Sequence, residues 1–217
     1  VWMINQLAGK KSLALDDELF NILLACRDFH TRTGGLFDIS LGSVVDLVKQ
    51  GEYDPLQFKK LFDSSGMDKL ILDPDRLTIR LRNELVKLDF GGFGKGYALE
   101  QIRKILLSHE ILNAFISFGE SSLLALGSHP HGAGWKAGVN HQMIKGNSLF
   151  SFDLHDESLS TSGINSGLGD PDQMGQILHP IRGFSEKKYH QISVKSSSAT
   201  EAEILSTALI AADESEQ

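Results

Sequence analysis

The run Leu88-Asp89-Phe90-Gly91-Gly92-Phe93-Gly94-Lys95-Gly96-Tyr97-Ala98 sets four glycines at a junction between two kinds of periodicity. Upstream, Leu85-Val86-Lys87-Leu88 reads as a strand. Downstream, Tyr97, Leu99, Ile102, Ile105 and Leu106 recur at helical spacing and predict a helix from Gly96 to about His109. Glycine removes side-chain bulk where the backbone must approach something closely, and a helix N-terminus offers unpaired amides to an anion, for which phosphate is the natural guest. Asp89 stands where a Walker loop needs its first glycine, and Gly96 follows Lys95 in place of Ser or Thr, so no such loop is present; the Rossmann spacing fails too. Taken alone, a glycine-rich turn before a helix is more simply a tight connection.

Outward from this junction, helices and strands mix irregularly. Asp16-Asp17-Glu18 places a cap and negative charge before an apolar-periodic run that ends at Gly34-Gly35, predicting a helix over 17–31. Asp54-Pro55 opens a second short helix through Phe62. Lys69 to Leu72 and Leu77 to Leu81 flank the turn tetrad Asp73-Pro74-Asp75-Arg76 and read as a hairpin. Ala114 to Phe118 and Leu123 to Leu126 read as strands around the polar tip Gly119-Glu120-Ser121-Ser122. Ser148 to Leu154 reads as an edge strand, Ser160 to Gly175 as loop, Gln191 to Val194 as a strand and Thr200 to Ala212 as the last helix. The expected fold is α+β: a single mixed domain of short strands packed with several helices.

Composition bounds the function. The 217 residues are 41% hydrophobic and 23% charged, near globular averages, which excludes a disordered chain, a collagen-like repeat and a coiled coil. A net charge of −7 gives no electrostatic footprint for nucleic acid or an anionic membrane surface. An anionic ligand therefore needs local help from a metal or from backbone amides. The single Cys26 sits in an apolar stretch and reads as buried core filling. No apolar run reaches the roughly 18 residues of a membrane span, and His129-Pro130-His131 reads as a solvated loop.

Two further segments bear chemistry. In Thr200-Glu201-Ala202-Glu203-Ile204-Leu205-Ser206-Thr207-Ala208, Glu203 lies four residues before Thr207 and three before Ser206. They share a helical face, and a carboxylate with hydroxyls is a hard oxygen set suited to Mg²⁺. From spacing alone, an exposed carboxylate beside a hydroxyl bonded to its own helix is the simpler reading. The turn Leu159-Ser160-Thr161-Ser162-Gly163 is rich in hydroxyls, and Gln176-Ile177-Leu178-His179-Pro180-Ile181-Arg182-Gly183 follows it.

The glycine-rich junction, Ser160-Thr161-Ser162-Gly163, and Ala199-Thr200-Glu201-Ala202-Glu203 with Leu205-Ser206-Thr207-Ala208 occur in this order, preceded by Thr33-Gly34-Gly35-Leu36-Phe37-Asp38-Ile39-Ser40-Leu41-Gly42. Together they resemble the FAD:protein FMN transferases, flavin transferases once called thiamine-biosynthesis lipoproteins. The resemblance covers about Asn5 to Ala211. It implies a flavin transferase-like fold and Mg²⁺-dependent transfer of FMN from FAD to a Thr or Ser hydroxyl of a partner redox protein, with release of AMP. Carried over by motif, the metal ligands are the Gly92 carbonyl, Glu203 and Thr207, with Ser206 close by. FAD contacts fall on Leu36, Phe37, Asp38, Asp89, Lys95 and the backbone near Leu178. The resemblance also implies a place at the bacterial cell envelope or periplasm.

Departures from the pattern shape the expectations. Glu203 replaces the family's usual metal-binding Asp, and Ser40 replaces a Thr. The family's usual His falls on Gln176, which cannot act as a general base; His179, three residues on, is the catalytic substitute to consider. Family members carry upstream strands with a Ser-rich motif and a continuation after the last helix, so 1–217 reads as a flavin transferase-like domain lacking both flanks. These departures leave open an FAD-binding protein of the same fold without transfer, an FAD pyrophosphatase, and a structural domain that binds no flavin.

Overall fold

The computed structural model describes residues 1–51, 53–140, 148–163, 178–184, 191–213 and 216. The α+β expectation is met, with helices and antiparallel sheets mixed in a single domain, inside which the backbone gathers into two compact units. The first comprises Val1–Phe90 with Leu178–Gly183; the second comprises Gly91–Ile177 with Phe184–Gln217.

In the first unit, α1 (Trp2–Leu7) precedes β1 (Leu13–Ala14) and α2 (Asp17–Arg32). The Asp16 side chain caps α2 by accepting from the Leu19 amide at 2.7 Å, and Phe20, Leu23 and Cys26 form its buried stripe. Burial pushes the Cys26 thiol up to about 12, so the thiol is inert core filling. Gly34 and Gly35 end the helix at φ +60° and +89°, backbone that suits glycine. α3 (Gly42–Val48) and α4 (Pro55–Ser64) follow, the latter capped by Asp54 with proline at its start. β2 (Leu70–Asp73) and β3 (Thr78–Leu81) make the predicted hairpin; the Asp73 carboxylate holds its turn by accepting from the amides of Asp75 and Arg76. β1 extends this sheet in the order β1-β3-β2.

The strand expected at Leu85–Leu88 does not form. The Asn5 side chain donates to the Leu88 carbonyl at 3.0 Å and accepts from the Leu88 amide at 2.7 Å, while one parallel bridge joins Lys87 to Leu41. A side chain thus takes the place of a sheet partner. Gly42 is required here, because a Cβ would stand 2.8 Å from the Lys87 carbonyl oxygen.

The second unit begins with α5 (Gly94–Ser108), two residues ahead of its predicted start, followed by β4 (Ala114–Phe118), β5 (Ser122–Leu126), β6 (Trp135–Asn140), β7 (Ser148–Leu154) and β8 (Ser158–Gly163). After the two-residue strands β9 (Leu178–His179) and β10 (Gly183–Phe184) come β11 (Gln191–Ser196) and α6 (Ala199–Ala211). Four strands form an antiparallel sheet in the order β11-β8-β5-β4. Alternation along β5 decides its layers: Leu124 and Leu126 pack with Leu99 of α5 and Ala199 of α6, while Leu123 and Ala125 cluster with Leu159 of β8 and with Val139 and Leu154 of the β6–β7 ribbon. The predicted loop from Ser160 is corrected: Ser160–Gly163 completes β8, since pairing with β11 satisfies its backbone, and 164–175 lies outside the described residues. Among the described residues no helix is long and apolar enough to cross a membrane.

Candidate functional site

Phe93 stands at the N-cap of α5, and its side chain offers no acceptor to the first-turn amides. A neighbouring helix supplies one. Ser198 caps α6 by accepting from the Glu201 amide, and the Glu100 carboxylate accepts from the Ala199 amide at 2.6 Å, which fixes the start of α6 against α5. The two helices touch at Gly96, where a Cβ would meet the Thr200 Cα at 2.8 Å. At that separation Glu203, one turn into α6, accepts from the Gly96 amide through Oε2. A carboxylate at a helix N-terminus is favoured by the aligned peptide dipoles.

Glu203 is 2% exposed, so the simpler reading of an exposed carboxylate fails. Burial pushes its carboxyl above the ordinary 4.5, opposed by the Gly96 amide and the Lys95 charge. Its second oxygen, Oε1, has no hydrogen-bond partner among the described residues. Lys95 Nζ is 3.7 Å from it, close enough for attraction but beyond hydrogen-bond length, and donates to Ser121 Oγ at 2.6 Å.

Glu203, Lys95, Ser121 and Thr207 line a cleft of about 620 Å³, together with Gly91 and the hydroxyls of β8. That volume suits a small-molecule or cofactor site. Thr207 lies against the glycine loop: a Cβ at Gly92 would sit 2.8 Å from both Thr207 Cγ2 and Oγ1. The loop backbone and the hydroxyl therefore meet in direct contact. An unpartnered buried carboxylate oxygen, a threonine hydroxyl and an adjacent backbone make a hard oxygen donor set, and these residues fit a small divalent cation.

Ser206 has a different environment from Glu203 and Thr207. It is fully buried, donates to the Glu203 carbonyl at 3.0 Å, and lies 3.1 Å from Ser160 Oγ and 2.9 Å from Ser162 Oγ. The reading of a hydroxyl bonded to its own helix holds for this residue. The cluster pins strand β8 to α6 and so shapes the cleft wall. Ser160 and Ser162 are two apart on one strand face, a period-2 signal masked by the turn-favouring serines that carry it. Thr161 points the other way, 2.8 Å from Ser193 Oγ across the β8–β11 pair. In the sequence Ser121 reads only as part of a polar tip; nothing local marks it, because its partner Lys95 is 26 positions away.

The remaining predicted residues belong to the first unit. Leu36 and Phe37 are buried, and the Phe37 carbonyl is 2.8 Å from His30 Nδ1. Asp38 Oδ1 accepts from the Ser40 amide at 2.7 Å and the Ser40 hydroxyl at 2.5 Å, and Ser40 Oγ in turn accepts from the Gly66 amide. Burial raises the Asp38 carboxyl, with Ser40 and His30 opposing. Asp89 donates its amide to the Ile39 carbonyl at 2.8 Å. Leu178 and His179 form β9; His179 is fully buried, and its Nδ1 accepts from the amides of Ile181 and Arg182 at 3.1 and 3.2 Å, which places the ring proton on Nε2. Gln176 lies outside the described residues.

The architecture is that of the flavin transferases of known structure. The ApbE protein of Thermotoga maritima superposes with a TM-score of 0.86 at 24% identity, covering 97% of this chain and 70% of that one. The apo form of the flavinyl transferase ApbE from Pseudomonas stutzeri does so at 0.80 and 20% identity, covering 96% and 66%. The ApbE family model matches residues 1–217, and the chain belongs to the ApbE family. A relative from Chlamydia trachomatis, named FAD:protein FMN transferase, is 27% identical over 95% of this chain, which spans 66% of that relative's length.

Proposed function

We propose that this chain acts as an FAD:protein FMN transferase, moving FMN from FAD to a Thr or Ser hydroxyl of a partner flavoprotein. The observation that carries the reading is the buried Oε1 of Glu203, without a hydrogen-bond partner among the described residues, on a residue that lines a hydroxyl-rich cleft with Lys95 and Thr207. In the reaction the acceptor oxygen bonds to the FMN phosphorus, the phosphoanhydride bond breaks, AMP leaves with the bridging oxygen, and the hydroxyl proton is released. Glu203, Thr207 and the Gly92 carbonyl would hold Mg²⁺, which when bound offsets the negative charge on the diphosphate oxygens. Lys95 offers its ammonium to the same oxygens, and the glycine loop lets phosphate approach the backbone without side-chain obstruction. Ser206 orients the α6 turn that carries Glu203.

By resemblance, Leu36, Phe37, Asp38, Asp89 and Leu178 remain assigned to FAD contacts. Asp38 serves that role through loop shape, since its Oδ1 is bound to Ser40. The same resemblance assigns the reaction to the bacterial cell envelope. Incubation with FAD, Mg²⁺ and a purified acceptor flavoprotein domain tests the proposal: a fluorescent acceptor band in a denaturing gel and stoichiometric AMP are expected. No label with Mg²⁺ or Mn²⁺ refutes it. The commitment of His179 Nδ1 to two backbone amides favours a second reading, FAD binding without transfer, which gives saturable FAD binding and no AMP.

A further inference from the structure

Ser121 occupies a place in the cleft that the proposed transfer leaves unassigned. It sits at the tip between β4 and β5, where Gly119 and Glu120 take φ of +63° and +62° in succession. A glutamate in left-handed backbone is strained, and such strain persists only where the surroundings hold it. Here they do: the Ser121 amide donates to the Gly119 carbonyl at 2.7 Å, and the Ser121 carbonyl accepts from the Thr161 amide of β8 at 2.7 Å. The hydroxyl projecting from this fixed backbone accepts from Lys95 Nζ at 2.6 Å. Among the described residues Lys95 is the cation paired with Glu203 Oε1, and an ammonium free to move would close on a buried carboxylate oxygen that lacks a hydrogen bond. It stops at 3.7 Å.

We infer that Ser121 is a positioning residue that holds the Lys95 ammonium off Glu203 Oε1 and so keeps that oxygen for a divalent cation. The inference rests on the cation site of the proposed function. Without the tether, Lys95 closes from 3.7 Å to a charge-assisted contact of about 2.8 Å and competes with the metal. Coulomb's law at an effective dielectric of about 20 makes that closure equivalent to about tenfold in cation affinity.

The test is Mn²⁺ affinity of the FAD-free protein, read from the free-ion EPR signal, for wild type, Ser121→Ala, Lys95→Met and the double variant. Ser121→Ala is expected to weaken Mn²⁺ binding about tenfold, Lys95→Met to bind at least as tightly as wild type, and the double variant to match Lys95→Met. Ser121→Thr keeps the hydroxyl and is expected to retain wild-type affinity, which separates tethering from loss of fold. Two results overturn the inference: an unchanged affinity in Ser121→Ala, or an equal weakening by Ser121→Ala in the Lys95→Met background. A wild-type chain that binds no Mn²⁺ refutes the cation site itself, and the inference with it.

Discussion

Replacing the glycines of the junction one at a time with alanine should yield a graded series whose order follows what each added methyl meets. At Gly94 a Cβ meets nothing within 4 Å, so Gly94→Ala adds helix propensity without a clash and is expected to stabilise by up to about 1 kcal/mol. At Gly92 it would stand 2.8 Å from two atoms of one side chain, Thr207 Cγ2 and Oγ1. Relief requires the β-branched Thr207 to turn or the loop to lift, an overpacking cost of about 1–3 kcal/mol. At Gly96 it would meet backbone, the Thr200 Cα at 2.8 Å, so only separation of α5 from α6 gives relief. That also breaks the Gly96 amide's bond to Glu203, and a loss above about 3 kcal/mol is expected. Denaturant unfolding measures the series. A second comparison isolates the cause: Thr207→Ser removes Cγ2 and should recover much of the Gly92→Ala loss while recovering none of the Gly96→Ala loss. Equal losses at Gly94 and Gly96, or rescue of both damaged variants by Thr207→Ser, would refute the packing argument.

Other outcomes follow from the same contacts. Because burial raises the Glu203 carboxyl above 4.5, the folded protein holds this proton to higher pH than the unfolded chain; the cost of ionising it is absent below pH 4.5 and complete above the raised value. The stability of wild type relative to Glu203→Gln should therefore fall as pH rises above 4.5 in chelator, and a difference that grows with pH contradicts this. Added Mn²⁺ should raise the wild-type melting temperature more at pH 7.5 than at pH 5.5 and leave Glu203→Gln unmoved, checked by thermal unfolding. Asp38→Ala strands the buried Ser40 amide and hydroxyl and should cost on the order of 3 kcal/mol in urea unfolding.

What the sequence disclosed follows from the range of the interactions involved. Helix α2 was legible because Asp16, the apolar stripe and Gly34-Gly35 are all local to it, and the β2–β3 hairpin because Asp73 caps its own turn. The false strand at Leu85–Leu88 has the right side chains for a strand, but Leu88 takes its backbone bonds from the side chain of Asn5, 83 positions away, and Lys87 makes only an isolated bridge to Leu41. Strand β8 hid behind hydroxyl residues that favour turns in isolation, because Ser160 and Ser162 are satisfied by Ser206 of α6 and Thr161 by Ser193 of β11. For the site, the spacing of Glu203 and Thr207 placed them on one helical face. Nothing in the spacing disclosed that the face is buried, since that depends on the glycine contact at Gly96.

That contact also accounts for the use of glutamate at position 203. A buried carboxylate needs partners for two oxygens, and the two here have different fates: Oε2 takes the first-turn amide of α5, and Oε1 is left toward the cleft. The amide that Oε2 accepts from is available because Phe93 cannot cap its own helix. One carboxylate thus joins α5 to α6 and keeps an oxygen for the proposed cation site, and under that proposal the extra methylene over aspartate gives it the reach to do both. Glu203→Asp should then retain one function at the expense of the other. If Asp keeps the cation, the α5 amide is orphaned and stability falls with Mn²⁺ affinity preserved; if it keeps the amide, Mn²⁺ affinity falls with stability preserved. Retention of both at wild-type levels would show that the methylene is not what divides the two oxygens.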